Sequence, residues 1–89
     1  MEMTEKTEKP SKEHLFTIQV NNKPVSVAGP KTTGLLIKQA AIAQSVAIQI
    51  NFQLLEELGG GRTKVIGDTD EVHINPNSRF VAIAPDDNS

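Results

Sequence analysis

At 89 residues the chain has the length of one small domain, and such a domain buries only about 60–65% of the surface its unfolded chain exposes. That excludes a deep enclosed active site and leaves room for one helix packed on a sheet. A net charge of −2, three Phe with no Tyr or Trp, and no Cys exclude a basic nucleic-acid face, a base-stacking platform, disulfides, thiolate metal sites and a Cys nucleophile.

Residues 1–13, MEMTEKTEKPSKE, carry almost no apolar content and are predicted to be a disordered N-terminal tail. LFTIQV then alternates, with Phe16, Ile18 and Val20 on one face, the pattern of a strand buried on one side. Asn21-Asn22 supplies a tight turn, because Asn tolerates positive φ. A second strand follows with Val25 and Val27 inward, and Pro24, which cannot donate to a ladder, places it at a sheet edge. Thr32 or Thr33 can cap a helix. Along GLLIKQAAIAQS, Leu36, Ile37, Ala40 and Ala41 form the apolar stripe, with Lys38 and Gln39 opposite. VAIQI reads as a link with a few core contacts. NFQLLEEL and RTKVI are the third and fourth strands, joined by Gly59–Gly61 as a hairpin loop buried within the fold. GDTDEVHINPNS is turn-rich with Val72 and Ile74 as anchors, and RFVAIA is the last strand. The first and last strands are the most apolar and suit central positions. One amphipathic helix must then cover a mixed sheet of four to five strands, an α+β fold, over residues 14–85, with a flexible C-terminal tail at 86–89.

The residues that could carry catalysis do not assemble into a site. GGGRTK lacks the Gly-Lys and the following helix of a phosphate loop. His14 and His73 are far apart and have no Cys beside them. Asp68 to Glu71 lack the spacing and glycine of a calcium loop and read as a solvated turn. Glu56-Glu57 shows no sign of an enclosing pocket, and Ser26, Ser45 and Ser78 have no His nearby to act as base. Neither an enzyme nor a cofactor is expected. No apolar stretch reaches the ~20 residues that span a bilayer, and no apolar signal-peptide core is present, so a cytoplasmic protein with neither membrane nor nucleic acid as partner is expected.

Taken in order, FTIQVNNKPV, TTGLLIKQAA, FQLLEEL with its following glycines, KVIGDTDEVHI and RFVAIAP resemble the ubiquitin-like β-grasp fold, and more narrowly the bacterial multiubiquitin-type domain. The resemblance implies a protein modifier, encoded with an E1-like adenylating enzyme, an E2-like conjugating enzyme and a processing peptidase in operons linked to phage defence. Its C-terminal carboxylate would be adenylated, passed to a carrier enzyme and joined to an unknown target protein. The chain departs from the eukaryotic pattern in ending APDDNS rather than Gly-Gly. The conjugation tail would therefore be Asp87, Asn88 and Ser89, after peptidase trimming or with an enzyme channel wide enough for side chains. A non-conjugated adaptor binding through its sheet is the alternative. Ubiquitin-like proteins are usually read through apolar residues of the outer sheet face. The strand phases turn Leu55, Val81 and Ile83 outward, and the resemblance implies that their two strands are neighbours, which would make one exposed patch near the C-terminus.

Overall fold

The computed structural model describes residues 14–85; the tails expected at 1–13 and 86–89 lie outside the described residues. Strands β1 (His14–Val20) and β2 (Lys23–Gly29) form a hairpin closed by Asn21 and Asn22 at φ 52° and 66°, the two positive values of a type I′ turn. A three-residue strand β3 (Lys31–Thr33) leads into helix α1 (Gly34–Ala43). Then come β4 (Gln53–Glu57), β5 (Thr63–Ile66), β6 (Glu71–His73) and β7 (Arg79–Ile83). The main sheet has the order β2-β1-β7-β4-β5, with β1 and β7 parallel and the other pairs antiparallel. Helix α1 packs across it, as in a β-grasp. β1 and β7 lie in the interior and the Pro24 strand at an edge, as the apolar content and the missing donor predict.

β3 and β6 pair in a separate two-stranded sheet. Each is only three residues long, too short for alternation to register in the sequence. β6 lies within the segment read as turn-rich, and its Val72 and neighbouring Ile74 are buried as expected. The link after the helix likewise sends Val46 and Ile48 into the core, which is built around Phe80, Ile18, Ile37 and Leu54.

The helix is rotated from its expected phase. Its buried positions are Gly34, Ile37, Lys38 and Ala41, spaced i, i+3, i+4, i+7, a continuous helical stripe. Leu36, expected inward, is 50% exposed, and Lys38, expected on the polar face, is 4% exposed. Two tertiary contacts set this phase. Gly34 abuts the Gly67 carbonyl. The Lys38 ammonium donates to the Ile50 and Phe52 carbonyls at 2.7 and 2.9 Å and pairs with Asp68 at 2.8 Å.

Thr33, not Thr32, is the N-cap, its hydroxyl accepting from the Leu36 N–H at 3.3 Å. Thr32 is buried in β3, its hydroxyl without a partner among the described residues. At the other end Ser45 adopts φ 73°, the Ser45 N–H donates to Ile42 and the Val46 N–H to Ala41. This is a Schellman closure, and it fixes Gln44 at the helix C-cap.

The Asp68–Glu71 turn is exposed, as expected of a solvated turn, and is also tied to its neighbours. Asp68 binds Lys38, and the Asp70 carboxylate accepts the Gly67 N–H at 2.7 Å. Gly59–Gly61 do join β4 to β5, but as an exposed turn rather than a buried loop. Gly60 and Gly61 have φ 75° and 78°, where a side chain is strained; Gly59 has no such requirement and open space beside it.

Candidate partner-binding face

Strand alternation divides the sheet residues between two faces. Leu54, Phe80 and Ala82 are buried beneath the helix, so Leu55, Val81 and Ile83 point to the outer face. The register sets Leu55 directly against Val81, and Gln53 against Ile83. All three expected patch residues therefore lie together on β4 and β7. Leu55 and Val81 are half-buried by one another's company, and Ile83 is 46% exposed.

A fourth member was missed in the sequence. Val65, 54% exposed, stands opposite Leu55 on β5. Its strand is only TKVI, with Ile66 inward, and reading that phase would have found it. Leu55 thus sits in the middle of an apolar row from Val65 through Leu55 to Val81, with Ile83 beside it. The polar border is formed by Arg79 and its partners: Nη2 donates to the Asn22 side-chain oxygen at 2.9 Å, and Nε lies 3.4 Å from the Glu57 carboxylate. Exposed pairs of this kind contribute little to stability, and here they mark where the apolar surface stops.

A second residue that sequence reasoning missed in its full role is Asn21. The backbone pairing of β1 with β7 covers only Gln19↔Arg79 and Val20↔Phe80. The Asn21 N–H continues it by donating to Phe80 at 3.0 Å. The Asn21 carboxamide extends it again, accepting the Ala82 N–H at 2.9 Å and donating to the Ala82 carbonyl at 3.3 Å. A side-chain amide thus acts as one further residue of strand and clamps β7 between Val81 and Ile83. Asn21→Gly keeps the positive φ and deletes both side-chain bonds. We expect it to lower stability by about 1–3 kcal/mol and to speed amide exchange at Ala82, read by hydrogen–deuterium exchange.

Residues 16–86 match the family model described as Multiubiquitin. The chain belongs to the multiubiquitin family. No curated protein and no solved structure matches it. Membership agrees with the ubiquitin-like fold, in which, among the described residues, the one helix covers a single face of the sheet. Of the residues assigned to function, the family match covers Leu55, Val81 and Ile83, whereas Asp87, Asn88 and Ser89 lie beyond it and outside the described residues.

The other candidates stay apart in this multiubiquitin domain. His14 opens β1 and His73 closes β6, both exposed, and no group of three His, Cys, Asp or Glu among the described residues could hold a metal ion. Glu57 is taken up by Arg79. Arg62, beside the glycines, donates to the Gly59 carbonyl at 3.4 Å, and a strand rather than a helix follows. No described helix is long and apolar enough to cross a membrane.

Proposed function

We propose that this multiubiquitin domain is a ubiquitin-like protein modifier. In this reading an E1-like enzyme adenylates a C-terminal carboxylate in the segment of Asp87, Asn88 and Ser89, after trimming by a peptidase. An E2-like enzyme then transfers it to a target protein in a cytoplasmic pathway. The domain itself contributes a recognition surface and a reachable end. The observation that supports this is the course of β7: the strand carries Val81 and Ile83 on the outer face and then leads straight into the C-terminal segment. An enzyme seated on the apolar row would have the end of β7 beside it.

The test incubates the full chain, and forms ending at Ala84, Pro85, Asp87 or Asn88, with an E1-like enzyme encoded beside it and ATP, and measures intact masses. An adduct on any form is the expected result. Absence of an adduct on every form, with enzyme binding retained, sinks conjugation and favours the non-conjugated adaptor. Leu55→Asp places a charge in the middle of the row and Val81→Asp at its β7 end. Each is expected to weaken enzyme binding tenfold or more, about 1.4 kcal/mol, while far-UV circular dichroism stays unchanged. Normal binding by both folded variants rules out the patch as the recognition surface.

A further inference from the structure

Among the described residues, β2 forms one edge of this sheet and β5 the other, and an edge strand is a template for pairing with a second copy. Register shows which residues face outward on β2. Val20↔Lys23 flanks the two-residue turn, so it is a hydrogen-bonded pair, and the pattern alternates from it. Lys23, Val25, Val27 and Gly29 bond inward to β1; Pro24, Ser26 and Ala28 turn their backbone groups outward.

These three outward positions differ. Pro24 has no N–H to give. Ala28 has both groups, and neither meets a backbone partner outside the ladder among the described residues. Ser26, between them, is fully occupied. Its N–H donates to the Gln44 side-chain oxygen at 2.9 Å, and its carbonyl accepts from the Gln44 side-chain nitrogen at 2.8 Å. This two-bond exchange is what a neighbouring strand would make with Ser26, and here a helix C-cap side chain makes it instead.

Ser26 is a position on which two β2 strands can centre an antiparallel pair. About a two-fold axis there, Ser26 of each copy would exchange two bonds with Ser26 of the other. Each Ala28 N–H would reach the Pro24 carbonyl across the axis, giving four bonds in all. A register displaced toward the turn brings Pro24 to the centre and loses donors, and one centred on Val27 pairs each Ser26 with the other copy's Ala28, so it too needs Ser26 free.

We propose that Gln44 is an edge guard: its carboxamide fills the Ser26 position of β2 and thereby keeps a second copy of this chain from adding its own β2 there. The Schellman closure at Ser45 holds the guard in place, since it fixes the backbone from which the Gln44 side chain reaches the sheet.

Gln44→Ala removes the guard, and Gln44→Asn keeps a carboxamide one methylene too short to reach both groups. Sedimentation equilibrium across a concentration series, with hydrogen–deuterium exchange at single-amide resolution, compares both with the parent chain. At low concentration the Ser26 amide is expected to exchange tenfold or more faster in either variant. At high concentration the apparent mass should rise toward twice the monomer's, with Ser26 and Ala28 protected again. Adding Ala28→Pro, which removes two of the four bonds between copies, should return both variants to monomers. Variants that melt cooperatively yet stay monomeric overturn the proposal, and so does self-association that Ala28→Pro leaves intact. Global unfolding of both variants also overturns it, by giving Gln44 a purely structural role.

Discussion

Lys38→Ala is expected to destabilise the domain by about 2–4 kcal/mol, lowering the melting temperature by about 4–8 °C for each kcal/mol in a domain this small. The Lys38 side chain is 6% exposed, with its stem among core residues and its ammonium shared between the Ile50 and Phe52 carbonyls and Asp68. Truncation opens a cavity where the stem lay and leaves two carbonyls without donors. The ion pair is the lesser part of the effect. Asp68 is 52% exposed and remains hydrated when its partner goes, so Asp68→Asn should cost about 1 kcal/mol or less. Thermal melts of the two variants side by side separate the contributions; equal losses would mean that the charge pair, not the carbonyl staple, matters. The same burial makes a chemical prediction. In a timed acetylation read by mass spectrometry, Lys38 should be the slowest-reacting lysine among the described residues, behind the exposed Lys23, Lys31 and Lys64.

Gly34→Ala should cost about 1–3 kcal/mol, although Ala is the better helix former. A Cβ at Gly34 would stand 2.3 Å from the Gly67 carbonyl oxygen. That oxygen belongs to a turn that cannot retreat freely. The Asp70 N–H donates to Gly67, the Gly34 N–H donates to Asp70, and the Leu35 N–H donates to Asp68 at 3.0 Å. The methyl group must therefore push the start of the helix away from the Gly67–Asp70 turn, which also loosens Lys38 from Asp68. Gly59→Ala is the control. Nothing lies within 4 Å of that position, and the substitution should change stability by no more than about 0.5 kcal/mol. Chemical denaturation of both decides the matter; a neutral Gly34→Ala would show that the turn yields and that the close approach is not required.

Both contacts show where sequence reasoning stopped. Gly34 lies at the start of a predicted helix, where glycine reads as a boundary; that it meets a carbonyl more than thirty positions later is not a local property. Lys38 follows Ile37 in a helix whose polar face it would ordinarily join. Its burial depends on the link at 50–52 and the turn at Asp68 converging on one point. The phase of the helix follows from these contacts, which is why Leu36 lies outward when its hydropathy placed it inward. Val65 was missed for a simpler reason, since four residues are too few for alternation to stand out.

The sequence by itself determined the strand faces of β1, β2, β4 and β7, the Asn-Asn turn and the edge position of the Pro24 strand, while the β-grasp order was legible through the family resemblance. Each of the former follows from side-chain periodicity, backbone preference or a missing donor within a few residues. It thereby determined that Leu55, Val81 and Ile83 share the uncovered face. Only the tertiary structure decided the rotation of the helix, the pairing of β3 with β6, and the use of two carboxamides, Asn21 on Ala82 and Gln44 on Ser26, as substitutes for strand. Those depend on hydrogen-bonding groups 12 to 61 residues apart, and no local pattern encodes which distant backbone group a polar side chain will meet.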